Sequence, residues 1–80
     1  MTQAILRLPA VKVATGLSRS TIYLRIKHGV FTHPVSLGGR AVGWPADEVA
    51  ALNVARIAGK PDGEIRSLVA QLEAARKAAR

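Results

Sequence analysis

The stretch TGLSRSTIYLRIKHG, residues 15–29, concentrates hydroxyl groups and cations and contains no carboxylate. Hydroxyls bind phosphate oxygens well, and arginine and lysine side chains pair with phosphates or with guanine edges. The hydroxyls of Ser18, Ser20 and Thr21 have no neighbouring histidine–acid pair, so the pattern does not indicate nucleophilic catalysis. The chemistry predicted for this stretch is binding of a polyanion, by a protein that is not an enzyme.

Metal and cofactor chemistry are not indicated either. His28 and His33 have no cysteine and no nearby acid to complete a metal site. Gly38-Gly39 lacks the Lys-Ser/Thr signature that follows a phosphate-binding loop. We therefore expect no metal and no cofactor.

Charge is distributed unevenly along the chain, whose net charge is +7. Residues 1–46 contain arginines and lysines but no acid, and the first carboxylate is Asp47, after which acids and bases mix. Such asymmetry favours a polyanionic partner, because phosphates relieve the repulsion among the cations. The alternative that the cations only keep a small domain in solution stays open. An anionic membrane competes less well, since glycines and prolines interrupt the basic half.

Length and composition predict one small intracellular domain. Eighty residues leave little room for a buried active site. The absence of cysteine suits a reducing compartment. No run approaches the ~20 apolar residues of a membrane span, and the first ten residues lack the apolar core of a signal peptide. We expect a cytoplasmic protein without membrane contact.

The first elements are predicted from their end signals. Residues 4–8 are a short apolar segment, extended or a strand, and Pro9 suits the first turn of a helix that Gly16 ends. Its core-facing positions are Leu8, Val11 and either Ala14 or Thr15.

A second helix is predicted to begin after Ser18, whose hydroxyl can accept from the N–H of Ser20 or Thr21. Leu17 and Ile22 occupy the two positions of a hydrophobic staple. Gly29 ends the helix, and Ile22 and Ile26 face the core together. The helix residues predicted to contact DNA are Ser18, Arg19, Ser20, Thr21, Tyr23, Leu24, Arg25, Lys27 and His28. Which of Leu24, Arg25 and Lys27 reaches the bases stays open, and Tyr23, like Trp44, is expected to be more a core residue than a base-stacking platform.

The next segment predicts a β-hairpin with Gly38-Gly39 as its two-residue turn. In that register Leu37 faces Arg40 and Val35 faces Val42. Arg40 stands beside the tip, where it could enter the minor groove or bind the DNA backbone. The face expected to lie on the helices consists of Val35, Leu37, Val42 and Trp44.

Two further helices complete the prediction. Pro45 opens a third helix with Asp47 and Glu48 in its first turn, where they complement the helix dipole. Val49, Leu52 or Asn53, Arg56 and Ile57 follow at helical spacing, and the helix runs to Gly59. After the break at KPDG, a last helix from about Glu64 to Arg80 carries a stripe of Ile65, Leu68, Val69, Leu72, Ala75 and Ala79. This stripe could pack on its own domain or form a homodimer, and we divide the chain into residues 1–59 and residues 60–80.

The order of these elements predicts an α+β, mostly helical fold: a winged helix-turn-helix with a two-stranded wing and an extra C-terminal helix. The chain also resembles the AlpA family of small phage and prophage regulators, which are related to excisionases and MerR-type winged helices. The resemblance covers roughly residues 5–50, in ILRLPAV, TGLSRSTIYLRIKHGVF, PVSLGGRAVGWP and DEV. It implies DNA binding by the helix after Ser18 and by the hairpin carrying Arg40, in a prophage or genomic island.

The function expected is that of a sequence-specific regulator that binds double-stranded DNA and controls an integrase or excision gene. Lys12 and Arg7 are expected to support the backbone contacts. Further partners could be a second copy, through the last helix or on DNA, and RNA polymerase or an integrase. Two alternatives are an excisionase that bends attachment-site DNA and a protein-interaction module, such as an antirepressor, that uses residues 65–79.

Overall fold

The computed structural model describes residues 4–78, with four helices and three short strands. The strands form one antiparallel sheet in the order β1-β3-β2. This arrangement confirms the predicted α+β winged helix-turn-helix. The elements are β1 (Ile5–Leu6), α1 (Leu8–Thr15), α2 (Arg19–Lys27), β2 (Val35–Gly38), β3 (Ala41–Pro45), α3 (Ala46–Ile57) and α4 (Asp62–Ala78).

The turn between α1 and α2 has the capping geometry that its sequence predicts. Gly16 adopts φ 72°, the left-handed conformation that glycine tolerates best, and its N–H donates to the Lys12 carbonyl at 2.8 Å. Ser18 caps α2, since its hydroxyl accepts from the N–H of Thr21 at 3.2 Å. Of the two residues that the sequence left open as the third core-facing position of α1, Thr15 is half-buried and Ala14 is exposed, so Thr15 faces the core.

The wing differs from the predicted hairpin in its register. Val35 pairs with Gly43 and Ser36 with Val42, while Gly38 pairs with Ala41. The two-residue turn is therefore Gly39-Arg40 and not Gly38-Gly39. Leu37 is the extra residue of a bulge between Ser36 and Gly38, where the Ser36 hydroxyl accepts from the Gly38 N–H at 3.3 Å.

The change of register also changes which side chains share a face. Directly paired residues of antiparallel strands point to the same side of a sheet, so Val35 lies on the Gly43 side and not on the Trp44 side. Leu37 is 43% exposed and also lies toward Gly43. The predicted inward face was thus wrong for Val35 and Leu37, because a slip of one residue exchanges the two faces.

Strand β3 is the centre of the sheet because β1 approaches it very closely. Ile5 pairs with Pro45 and Leu6 with Trp44. A Cβ atom at Gly43 would stand 2.5 Å from Cγ2 of Ile5 and 3.0 Å from the Leu6 carbonyl oxygen. Only glycine leaves room for β1, which turns the predicted two-stranded wing into a three-stranded sheet.

The hydrophobic core is centred on Trp44, which has no exposed surface and whose indole N–H donates to the Thr32 carbonyl at 2.9 Å. On α3 the residues at helical spacing do not all face the core, because Ile57 is 86% exposed whereas Ala55 is buried. All four helices contribute to this core. Its buried apolar members are Val11, Ile22, Val30, Phe31, Trp44, Val49, Leu52, Ala55, Ile65 and Val69.

Helix α4 packs on the rest of the chain through apolar and ionic contacts. It begins at Asp62, two residues before the predicted start, and buries Ile65 and Val69 in the core. Glu48, which is 4% exposed, accepts two hydrogen bonds from the Arg76 guanidinium at 2.8 and 2.6 Å. A buried carboxylate needs such a partner. Ala79, the last residue of the predicted stripe, lies outside the described residues.

Candidate nucleic-acid interface

The outer face of α2 combines exposed polar, cationic and apolar side chains. Ile22 is fully buried and Ile26 packs against the core, which confirms the predicted inner stripe and orients the opposite face toward solvent. Leu24 is 52% exposed there. The other exposed residues predicted from this helix and its ends are Ser18, Arg19, Ser20, Tyr23, Lys27 and His28.

The hydroxyls at the start of α2 form a small network. The Ser18 hydroxyl donates to Oγ1 of Thr21 at 2.9 Å while it accepts from the Thr21 N–H. Oγ of Ser20 lies 3.3 Å from Oγ of Ser18. Because the Ser18 proton is donated to Thr21, the contact between Ser18 and Ser20 uses the Ser20 proton, and the Thr21 hydroxyl proton stays free to be donated outward. The positive end of the helix dipole at this point favours an anion.

Tyr23 joins this face to the core. Its ring meets Trp44 edge-on, with 6.3 Å between the ring centroids, while 38% of the residue stays exposed. The Arg19 guanidinium lies 5.8 Å from the centroid of the Tyr23 ring. Trp44 is therefore a core residue as predicted, whereas Tyr23 is at the boundary and positions Arg19 at the surface.

Arg25 occupies a different position from the other α2 cations. It is half-buried and lines a cleft of about 240 Å³ between the helix-turn-helix and α3. Lys27 is exposed instead on the side opposite Ile22. Of the three residues left open by the sequence, Leu24 and Lys27 thus face outward and Arg25 lies on the flank.

The wing and α1 add three exposed cations to those of α2. Arg40 follows Gly39 in the turn, where Gly39 adopts φ 56°, and its side chain is exposed. Lys12 on α1 and Arg7 just before that helix are exposed as well. We call the exposed cations and hydroxyls of α2, together with Arg40, the basic face.

Ion pairing distinguishes the basic half of the chain from the rest. Within residues 4–78, four ion pairs form, and every lysine or arginine in them comes from residues 56–76. Arg7, Lys12, Arg19, Lys27 and Arg40 have no acidic partner within the described part of the chain. Their positive charge is therefore uncompensated and available to an external anion.

Sequence reasoning missed the role of α4 in positioning α2. Nε of Arg66 donates to the carbonyl oxygen of His28 at 3.0 Å, which satisfies a carbonyl group at the end of α2. The stem of Arg66 also lies against Gly29, 3.7 Å from where a Cβ would stand. A contact between residues 38 positions apart has no local sequence signal, so it could not be predicted.

Glu73 and Arg76 attach α4 to the segment before the wing. Glu73 accepts from the backbone N–H of His33 at 2.7 Å and lies 2.9 Å from its Nδ1. Partial burial alone would raise the pKa of Glu73, but these hydrogen bonds and the charges of His33 and Arg76 outweigh it, so the pKa lies below its usual value. Hydrogen bonding to Glu48 raises the pKa of Arg76.

Neither a metal centre nor a membrane span is found in the part of the chain that the structure describes. No three of its histidine and acidic side chains are grouped so that they could hold a metal ion. None of its helices is both long and apolar enough to cross a bilayer.

A helix pair joined by a tight turn, followed by a hairpin whose strand β3 packs against α1 and α3, defines the chain as a winged helix-turn-helix protein. The family described as Prophage CP4-57 regulatory protein (AlpA) matches residues 4–51. The chain is 49% identical over 61 residues to uncharacterized protein ORF88 of Enterobacteria phage P4, covering 76% of this chain and 69% of that protein. No solved structure matches. The chain belongs to the AlpA family of prophage regulatory proteins, which confirms the resemblance.

Proposed function

We propose that the chain binds double-stranded DNA sequence-specifically and regulates transcription in a prophage or related mobile element, controlling an integrase or excision gene. Helix α2 enters the major groove, which is about 12 Å wide and admits one α-helix. Arg40 binds the adjacent minor groove or backbone from the wing. Lys12 and Arg7 add contacts to phosphates.

The observation that carries this proposal is the uncompensated charge of the basic face. An inner stripe of Ile22 and Ile26 holds α2 so that its cations and hydroxyls point outward, and no acid of residues 4–78 pairs with the cations. If this face were only solvated, nearby acids would stabilise the fold by relieving the repulsion among its cations. In a phosphate-binding face, nearby acids would instead weaken the binding.

Exposure suggests how the contacts divide. Lys27 and Leu24 suit base edges, since a lysine can pair with guanine and an apolar side chain can meet a thymine methyl. Ser20 and Thr21, at the positive end of α2, suit a phosphate. Arg25 suits the backbone beside the groove because it lies on the flank of the helix.

The alternative of a protein-interaction module that uses the apolar stripe of residues 65–79 is less well supported. Ile65 is 1% exposed and Val69 is 5% exposed, and both belong to the core. A partner would have to displace that core to reach them. The excisionase alternative uses the same basic face and differs only in the DNA sites that are occupied and bent.

The proposal is tested by selecting a binding site from a random duplex pool and measuring affinities of single variants for it. Lys27→Ala should lose about 1–3 kcal/mol, with the loss concentrated at particular base pairs, because it removes a base contact. Arg40→Ala should weaken binding to all duplexes by a similar factor, because it removes a backbone or minor-groove contact.

Lys77→Ala is the matched control, since Lys77 is exposed near the end of α4 and its loss changes the net charge equally. It should leave the affinity within about a factor of two. Equal affinities for wild type, Lys27→Ala and Arg40→Ala would place the binding site elsewhere. Footprinting of the attachment region and of the integrase promoter then separates an excisionase from a transcriptional regulator.

A further inference from the structure

Helix α3 carries an apolar stripe that faces solvent. Val54 is 66% exposed and Ile57 is 86% exposed, and Ala50 and Ala58 flank them on the same side of the helix. We call these four residues the outer stripe. The opposite side of α3 already supplies Val49, Leu52 and Ala55 to the core, so the outer stripe is additional apolar surface that folding does not bury.

The outer stripe is electrically neutral, unlike the surface of the basic half. The nearest cation on α3, Arg56, pairs with Asp62 at 3.2 Å on another side of the helix. An acidic partner would therefore find little to recognise here, and DNA would find no cation. The surface instead suits an apolar, neutral partner surface.

Charge and shape make the outer stripe complementary to itself. Asp47 is exposed before its N-terminal end, and Lys60 is exposed just beyond its C-terminal end. Within residues 4–78, Asp47 has no ion pair, and Lys60 has only a 4.0 Å contact with Glu64. When two copies of α3 lie antiparallel, Asp47 of each copy comes beside Lys60 of the other.

The same antiparallel arrangement matches large side chains to small ones. Positions 47 and 60 have the same midpoint in the sequence as positions 50 and 57. A single two-fold axis near Val54 therefore brings Asp47 beside Lys60 and Ala50 beside Ile57 of the other copy. Each Ile57 then meets the small Ala50 of the other copy. Such self-complementarity about an axis is the property of an isologous dimer contact.

We propose that the outer stripe is the contact through which two copies of this chain bind neighbouring DNA sites cooperatively. The DNA part of the proposal rests on the proposed function. Four side chains on one helix bury far less than the about 800 Å² per partner of a stable interface. The repulsion between two chains of charge +7 opposes association further. Binding to DNA offsets both the small contact area and the repulsion, because the DNA holds the two copies close together and its phosphates neutralise their charge.

The first experiment measures cooperativity on DNA. A selected site is placed once, or twice at spacings varied by single base pairs across one helical turn. At the best spacing, occupancy of one site should raise affinity for the other about 5- to 150-fold. The double variant Val54→Gln/Ile57→Gln should bind a single site within about a factor of two of wild type and lose the cooperativity. Ala70→Gln, which adds the same amide to an exposed position of α4, should keep it.

The second experiment tests the antiparallel register. Asp47→Lys should weaken the cooperativity because it brings two cations together, and the double variant Asp47→Lys/Lys60→Asp should restore it. Wild-type protein that binds paired sites independently at every spacing would overturn the proposal, as would a Val54→Gln/Ile57→Gln variant that stays cooperative. Circular dichroism of each variant verifies that it is folded.

A third experiment works without DNA and so separates this proposal from the proposed function. The chain contains no cysteine, so a single introduced thiol is the only one. Val54→Cys, near the expected two-fold axis, should be cross-linked to dimer by a short bis-maleimide at high protein concentration and high salt, which bring the copies together and screen their repulsion in place of DNA. Ser67→Cys, exposed on α4, is the control and should stay monomeric. Equal cross-linking of the two variants would contradict an α3 contact.

Discussion

At the residue scale, the ionic contacts of α4 show how single charges are satisfied. Glu48 is buried and meets the Arg76 guanidinium with both carboxylate oxygens, whereas Glu73 is more exposed and binds His33. The sequence places Glu48 in the first turn of α3, which favours an acid for its interaction with the helix dipole. The structure gives it a second and stronger partner that only the packing of α4 brings near.

The lowered pKa of Glu73 predicts a pH dependence of stability. Ionised Glu73 stabilises the fold above its usual pKa of 4.5, and this contribution is lost as the pH falls through the lower pKa of the folded state. Glu73→Gln should therefore reduce the free energy of unfolding by about 1 kcal/mol at neutral pH. The difference from wild type should shrink as the pH falls below 4.5 and through the lower pKa of the folded state, measured by urea unfolding at each pH.

Glu64→Gln is the matched control for this measurement, because Glu64 is exposed and its one ionic contact among the described residues, with Lys60, is long at 4.0 Å. It should change the stability little at any pH. A Glu73→Gln effect that is as large in acid as at neutral pH would indicate lost packing rather than lost charge.

At the scale of the elements, α4 is joined to the helix-turn-helix by the core and by hydrogen bonds. Ile65 is almost fully buried, and Arg66 beside it binds the end of α2. The interruption of helix at KPDG suggests a domain boundary after residue 59. The apolar stripe of α4, however, packs on the same core to which α1 and α2 contribute. Helix α4 therefore helps to set the position of the basic face.

Ile65→Ala tests this role of α4. Truncation of a buried isoleucine leaves a cavity, so the free energy of unfolding should fall by about 2–5 kcal/mol in a single cooperative transition followed by circular dichroism. Gln71→Ala, on the exposed side of the same helix, should change it by less than about 0.5 kcal/mol. A loss below about 1 kcal/mol for Ile65→Ala would mean that residues 60–80 form a separate unit, as the sequence-based division has it.

At the scale of the whole molecule, charge is segregated between the two halves of the chain. The ion pairs join α3, α4 and the segment before the wing, while none of the six lysines and arginines of residues 4–46 has an acidic partner among residues 4–78. The apolar outer stripe of α3 lies outside both groups. The described part of the chain thus carries an uncompensated basic face and, apart from it, an exposed neutral apolar surface.

This segregation predicts a steep dependence of DNA affinity on salt. If about five phosphates are neutralised, the logarithm of the association constant should fall with the logarithm of salt concentration at a slope of about −4.5. Fluorescence anisotropy on a single selected site measures it, and Arg40→Ala should make the slope shallower by about one. A slope near zero would rule out phosphate contacts as the source of affinity.

The sequence by itself determined the local features, because each depends on residues within one turn of helix. Ser18 predicts the start of α2, Gly16 the end of α1, and the spacing of Ile22 and Ile26 the side of α2 that faces the core. The uneven charge and the family motifs likewise need no coordinates. From these features follow the fold class, the family and the position of the basic face on α2.

Tertiary structure alone decided the features that depend on distant contacts. The bulge at Leu37 shifts the wing register, and the close approach of β1 to Gly43 adds a third strand, since pairing depends on both strands at once. Ile57 has core spacing on α3, yet it faces solvent, because periodicity identifies an apolar side chain but not the neighbour that would cover it. The sequence left open whether the apolar stripe of α4 packs on its own domain or on a second copy. In the structure, Ile65 and Val69 of this stripe lie in the core of the same chain.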